Sequence, residues 1–474
     1  MNRRRFLQIS GIFSAFAFSG SLQTILHASK ASLNSSHLSK DPNRILDMHS
    51  SLSYNVISTK GGLMFDGNRV PGNPDGMAAF SVDSKHTVIV RNHELGRTSG
   101  KFMGPFKDPK KNALSLGKNH YDPTAFGGTT NILINDKTNE VVKEYLSLSG
   151  TMTNCAGGPS PWNTWLTCEE NTSKNKEEGI SHGYVFEVDP KKDFLQEPVP
   201  LKKMGRFSHE AVAFDRYGYA YLTEDRSDGL LYKFIPNQRN SLLEGDLYAL
   251  KIKHQDSRNW KKKNISVGEE FSVEWVKLED PDPDDDTLRK TGYEKGATIF
   301  ARGEGITSDD NSVYFACTSG GKNRRGQIWR LTPISKSKAK LELWFEMSDK
   351  DMINILENEY KNGPFKGILH CFSSGKDLAL CGLNLGFYIS FSGIVTFKSA
   401  KLIQEIATLI PDDKILVETD APYLSPTPLR GSVNEPKNCS ITAKYLANIR
   451  KCEFSTFIDQ LYMNSYKIFD KINK

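Results

Sequence analysis

Several short words in the sequence gather side chains able to hold a metal or grip an anion. They are Arg91-Asn92-His93-Glu94, Asn154-Cys155, Thr167-Cys168-Glu169-Glu170, Ser208-His209-Glu210, Thr223-Glu224-Asp225-Arg226 and Arg302-Gly303-Glu304. Each stands where a short alternating strand pattern runs into a turn. Taken singly, a carboxylate in such a place is an ordinary solvated turn residue. Brought together, so many would repel one another unless cations lay between them. Their hard oxygens suit calcium, whereas a thiolate such as that of Cys155 suits a softer or redox-active metal. An arginine beside them could take phosphate oxygens in bidentate fashion. A sparser set lies further on: His370 and Asp420, each at the end of an apolar run. Spacing alone reads them as a structural histidine and a turn aspartate as readily as a pair of metal ligands.

The elements that must position these groups change character along the chain. From about residue 52 to 343 the pattern is one of short alternating strands, among them His86–Val90, Thr130–Ile134, His182–Val188, Ala211–Phe214, Tyr219–Leu222, Leu231–Phe234, Ser312–Phe315 and Gln327–Arg330. Strands this regular point to a sandwich or a propeller. The strand pair at 213–234 is echoed at 309–331, a rough internal repeat that favours the propeller. The run Asp280–Asp286, interrupted by Pro281 and Pro283, reads as a solvated acidic loop. Near residues 346–350 the period changes. Helical patterns at 351–360, 400–409, 442–451 and 455–469 alternate with apolar runs at 367–372, 386–391 and 414–419. That order belongs to a parallel α/β fold, which puts its chemistry at strand C-terminal ends.

The chain has 474 residues, with 25% charged and 38% hydrophobic, the balance of a soluble protein of more than one domain. A net charge of +6 is too small at this length to argue for nucleic acid. The seven cysteines are scattered and form no CxxC pair, so no disulfide framework is implied. The opening Asn2-Arg3-Arg4-Arg5-Phe6-Leu7-Gln8 resembles a twin-arginine export motif, followed by a weakly apolar stretch from Ile9 to Leu26, with Ala28 and Ala31 as candidate cleavage residues. The competing reading is a polar-headed helix. No stable membrane span is expected.

The words from 48 to 345 resemble the PhoX alkaline phosphatases. The stretch Gly150–Glu170 is the strongest match, supported by Phe207-Ser-His-Glu-Ala211, Arg91-Asn-His-Glu94, Phe300-Ala-Arg-Gly-Glu-Gly305 and Phe315-Ala-Cys-Thr-Ser-Gly-Gly321. The resemblance implies a β-propeller phosphatase using Ca²⁺ and Fe³⁺ on small phosphate esters. Cys155 would be an iron ligand, Glu210 and Glu304 metal ligands, and Arg302 the phosphate-binding catalytic group. Asn92, Glu94, Glu169 and Glu170 are further metal-ligand candidates. The words around His370-Cys-Phe-Ser, Gly386–Gly393, Ile415-Leu-Val-Glu-Thr-Asp-Ala-Pro-Tyr-Leu424 and Arg430–Pro436 resemble the TatD deoxyribonucleases. These imply part of a (β/α)₈ barrel, with His370 and Asp420 as ligands of a divalent metal such as Mg²⁺.

Both resemblances stop short. The phosphatase pattern ends soon after Leu341–Glu346, and the early His-x-His of the nucleases occurs nowhere among the ten histidines. The expected fold is therefore mainly β, an incomplete β-propeller followed by an α/β segment from the C-terminal part of a TIM-type barrel. The expected domains are a signal peptide at 1–31, a phosphatase domain at 48–346 and a partial metallohydrolase at 347–474. The expected function is an exported, periplasmic or secreted phosphatase that meets the twin-arginine machinery, with DNA not expected as a partner. The alternatives are a TatD-like deoxyribonuclease, and a noncatalytic metal-binding propeller or accidental fusion product.

Overall fold

Alternation of apolar and polar residues builds antiparallel sheets one after another, each a run of sequence neighbours. The computed structural model describes residues 38–39, 48–49, 53–108, 115–260, 264–346, 348–421, 423–432 and 434–469. The expected signal segment lies outside them. Contacts divide the chain into Met1–Thr59 and Lys60–Lys474. In the first unit, Leu38–Ser39 pairs antiparallel with Met48–His49. Everything below belongs to the second.

The first sheet takes Pro74–Ser81, His86–His93, Gly127–Asn135 and Val141–Thr151 in order. The second takes Asn154–Pro159, Trp165–Glu169 and Val185–Val188. The third takes His209–Phe214, Ala220–Glu224, Leu231–Gln238, Ser241–Lys251 and Glu274–Leu278. The fourth runs Gly303–Ser308, Val313–Cys317, Gln327–Pro333 and Ala339–Glu346, and gains an outer strand, Glu270–Ser272, from earlier in the chain. The opening strands of consecutive sheets stand beside one another. Glycine makes that approach feasible: a Cβ on Gly158 would lie 1.9 Å from the Val212 carbonyl oxygen, and one on Gly76 2.8 Å from the Ala156 Cα.

Apolar cores fill the spaces between consecutive sheets. Phe80, Val88, Leu148, Trp165 and Phe186 pack between the first and second. Leu166, Val185, Val212, Leu222 and Tyr232 pack between the second and third. Tyr221, Leu231, Phe315, Trp329 and Leu343 do so between the third and fourth. Burying a side chain of this size contributes about 1.5–3 kcal/mol.

The expected strand His182–Val188 is shorter than its pattern. Only Val185–Val188 joins the ladder, because Gly183 takes φ 102° and the amides of Gly183 and Tyr184 donate to the Glu169 carboxylate at 2.8 and 3.2 Å.

The last strand of the fourth sheet ends at Glu346, whose buried carboxylate accepts from Asn259 (2.7 Å) and Gln327 (2.9 Å). The helix Asp349–Asn362 then opens on Ser348, whose hydroxyl accepts from the Asp351 amide. Asp349 pairs with Arg325 and accepts from the Gly375 amide, tying the new pattern to the old. Beyond it, Ile368–Leu369, Tyr388–Phe391 and Ile415–Val417 form a parallel sheet. Helices Lys376–Asn384, Lys401–Leu409, Cys439–Arg450 and Phe454–Ile468 accompany it. The three strands are shorter than their apolar runs. The protein is thus mainly β, with several antiparallel sheets and, among the described residues, no closed barrel. No described helix is long and apolar enough to cross a membrane.

Candidate metal centre

The opening strand of each of the four larger antiparallel sheets carries a register shift at its start: between Pro74 and Met77, Asn154 and Gly157, His209 and Val212, and Gly303 and Ile306. A bulge bends the strand and re-aims a side chain. The first of the two residues inside each shift is Asp75, Cys155, Glu210 or Glu304, so equivalent positions in successive sheets all carry a potential ligand. Glu170 follows the strand Trp165–Glu169, and Asp225 follows Ala220–Glu224.

Cys155, Glu170 and Glu210 form the heart of the cluster, with ligand atoms all within 4.8 Å of one another. The Cys155 Sγ lies 3.4 Å from Glu210 Oε1. Burial, then the charges of neighbouring Glu170 and Glu304, pushes the Glu210 carboxyl up to about 8. Glu170 is also pushed up to about 8, by burial and then by its hydrogen bond and proximity to Asp225. Burial and Glu210 raise the Cys155 thiol. Burial raises Asp75, and burial together with Asp75 raises Glu94. Too much negative charge thus faces too little water, the condition that a cation relieves.

Arg302 flanks the cluster at φ 53°. Its Nε and Nη2 each donate to Asp225 at 2.7 Å, and Nη2 lies 2.8 Å from Glu304 Oε1. Glu304 also accepts from Thr318 Oγ1 at 3.0 Å. The guanidinium therefore reaches the cluster oriented by a bidentate carboxylate.

Two expected ligands take other partners. The Asn92 amide donates to the carbonyls of Cys155 and Ala156, both at 2.8 Å, and its oxygen accepts from Trp165 Nε1 at 2.8 Å. It holds the cysteine strand, with both amide N–H groups and one lone pair of its oxygen engaged. Glu169 is fully buried and accepts from His182 Nδ1 (2.7 Å) and from the Met152, Gly183 and Tyr184 amides. His182 Nε2 in turn meets Asp122 at 2.9 Å, which also accepts from Arg97 at 2.9 Å. Glu94 stays near the cluster, beside Asp75. Asp75 was not singled out from sequence, since nothing but its place before a glycine marks it. Asp225 belongs to the acidic word at 223–226, where nothing in the spacing separates it from Glu224.

The second set is looser. Cys371, Glu418 and Asp420 bring their ligand atoms within 4.8 Å. His370 is not one of that trio but lies 3.5 Å from its Glu418, on a side chain that is 75% exposed. Cys371 and Glu418 were missed because neighbours of a motif histidine and aspartate carry no spacing signal of their own.

Residues 33–367 match the family model described as alkaline phosphatase PhoX, and residues 342–470 match TatD related DNase, so the two overlap across the junction. An uncharacterised metal-dependent hydrolase of Buchnera aphidicola subsp. Baizongia pistaciae is 45% identical over 123 residues, 26% of this chain and 46% of that protein. The uncharacterised metal-dependent hydrolase YcfH of Escherichia coli K12 is 46% identical over 100 residues, 21% of this chain and 37% of that protein. The chain spans about half the length, or less, of these curated relatives. Among solved structures, the TatD homologue YjjV of Escherichia coli K12 is 24% identical at TM-score 0.24, covering 26% of this chain and 46% of that one. A PQQ-bound aldose sugar dehydrogenase from Streptomyces coelicolor is 11% identical at TM-score 0.28, covering 59% and 74%. Neither likeness is close enough to bear on the fold.

Proposed function

The chain belongs to the PhoX alkaline phosphatase family and also carries a TatD-related segment, and from that premise we propose that it is an exported metal-dependent phosphatase acting on phosphomonoesters. The observation that carries this reading is the convergence of Cys155, Glu170 and Glu210 beside the Arg302 fork. Four antiparallel sheets with adjoining opening strands support a β-propeller as the scaffold. The twin-arginine-like words at Asn2–Gln8 support export to the periplasm or beyond.

The residues present fit bound cations. Cys155, Glu170, Glu210 and Glu304 are the groups to hold them, with Glu94 and Asp75 behind. A mixed thiolate and carboxylate set suits iron together with calcium. When bound, these ions supply Lewis acidity toward phosphoryl oxygens. The chain's own side chains do the rest. Arg302 binds the phosphate oxygens and stabilises charge on the transferring group. Asp225 orients the fork before substrate arrives. Asn92 fixes the backbone of Cys155 against the first sheet. On the TatD-related segment, Asp420 and the exposed His370 are candidate ligands for a divalent ion such as Mg²⁺, and no DNA cleavage is proposed for it.

The test is hydrolysis of 4-nitrophenyl phosphate by the purified chain loaded with calcium and iron. Activity that disappears in Cys155→Ala and Arg302→Ala supports the proposal. Full activity in both variants, or none in the parent protein, sinks it.

A further inference from the structure

The most exposed large apolar side chain among the described residues is Phe102, at 85%. A single exposed aromatic is ordinary on a protein surface. This one stands over a shallow, open hollow of about 550 Å³ lined by Gly96, Arg97, Phe102, Met152, Asn171 and Ser173, among others. That volume suits a small organic group.

The hollow and the metal-binding cluster share a wall. The Thr153 amide donates to the Leu95 carbonyl at 3.1 Å, and the Thr153 carbonyl accepts from the Glu170 amide at 2.9 Å. Leu95 follows Glu94 and precedes Gly96, Met152 lies three residues before Cys155, and Asn171 follows Glu170. One rung of backbone therefore places the lining residues Gly96, Met152 and Asn171 within three residues of Glu94, Cys155 and Glu170.

The helix that presents Phe102, Arg97–Met103, is fastened at both ends. Arg97 donates to Thr124 Oγ1 (3.0 Å), Ser173 Oγ (2.9 Å) and Asp122 Oδ2 (2.9 Å). The Met103 carbonyl accepts from the Gly72 amide at 2.8 Å. The ring is thus held on a fixed base, uncovered, at the lip of a hollow beside the site of phosphate chemistry.

We infer that this hollow receives the organic part of the phosphomonoester, and that Phe102 selects aromatic leaving groups by stacking on them. The inference rests on the phosphatase reading above. An aryl ring placed there covers apolar surface on both partners, whereas a short polyol gains nothing from the ring.

The experiment compares 4-nitrophenyl phosphate with glycerol 2-phosphate on the full-length, metal-loaded chain. Phe102→Ala is expected to raise KM for the aryl ester roughly three- to tenfold, with kcat unchanged and less than about twofold effect on the glycerol ester. Phe102→Tyr is expected to restore the aryl KM. An equal change for both esters, or none for the aryl ester, overturns the inference. If the parent chain hydrolyses neither ester, the phosphatase reading fails on its own account. Calorimetric binding of benzylphosphonate against methylphosphonate then decides this one: preference for the aryl ligand, lost in Phe102→Ala, sustains it, and equal binding ends it.

Discussion

Two parts of this molecule gather the same donors, one cysteine and two carboxylates, and treat them differently. In the antiparallel part, Cys155, Glu170 and Glu210 are half-buried or buried; strand bulges in two neighbouring sheets carry Cys155 and Glu210, and Glu170 follows the strand next to that of Cys155. In the parallel part, Cys371, Glu418 and Asp420 sit at strand ends with Asp420 exposed. Burial is what separates them. Desolvation pushes Glu170 and Glu210 up to about 8, so their ionised forms need a partner. An exposed carboxylate already has one, in water. Donor identity alone therefore does not make a centre; the scaffold must also withhold solvent.

The widest separation is expected in catalysis. Arg302→Ala or Cys155→Ala should lower kcat/KM for 4-nitrophenyl phosphate about 100-fold or more. His370→Ala and Asp420→Ala should leave it within about twofold. Equal losses in both sets would break the contrast.

A second measure uses histidines in place of ligands. His182 is fully buried between Glu169 and Asp122, whereas His370 is exposed beside Glu418. Burial disfavours the His182 imidazolium, but the Glu169 charge and the hydrogen bonds to both carboxylates win, raising it from 6.5 to about 9. A raised value means the contribution is fully present below the unfolded value and is lost as pH rises through the folded one. The protein should therefore lose roughly 3 kcal/mol of stability between about pH 6.5 and pH 9, and His182→Gln should flatten that slope. Denaturant unfolding across that range checks it. His370→Ala should change stability by less than about 1 kcal/mol, as exposed pairs do.

Cation linkage separates the two clusters again. Calcium at about one hundred times its Kd should add about 2.7 kcal/mol, read as a rise in Tm. Glu210→Gln should remove that rise, and Asp420→Asn should not. The smallest effect concerns support. Asn92→Ala should cost about 1–3 kcal/mol by leaving the Cys155 and Ala156 carbonyls without their donor. A similar change in calcium affinity would mark it as the clamp that sets the thiol.

Period-2 patterning made the individual strands legible, and the switch to helix–strand alternation near residue 347 was equally plain. The motif words pointed to Cys155, Glu170, Glu210, Arg302 and Glu304, which the fold draws toward one cluster. What spacing could not convey was local aim. Glu169 and Glu170 are adjacent at a strand end, yet one goes into a buried histidine network and the other to the cluster of Cys155 and Glu210. Asp75 escaped notice because a bulge changes where a side chain points without changing composition. The run ending at Val188 looked like a full strand because its apolar residues alternate. Its first amides are taken by a carboxylate that no periodicity reveals.

The hold of Asp225 on Arg302 has a kinetic consequence. On the phosphatase reading proposed above, a phosphate group would meet a guanidinium whose Nε and Nη2 already hold Asp225, so capture through that edge is an exchange of one oxyanion for another. The net attraction is then the difference between two ion pairs, far smaller than either. On the same reading, a displaced Asp225 remains a neighbour of the guanidinium, and its return would help to release inorganic phosphate after hydrolysis. Tight grip and quick release, which oppose each other at a lone arginine, are reconciled by keeping an internal rival within reach.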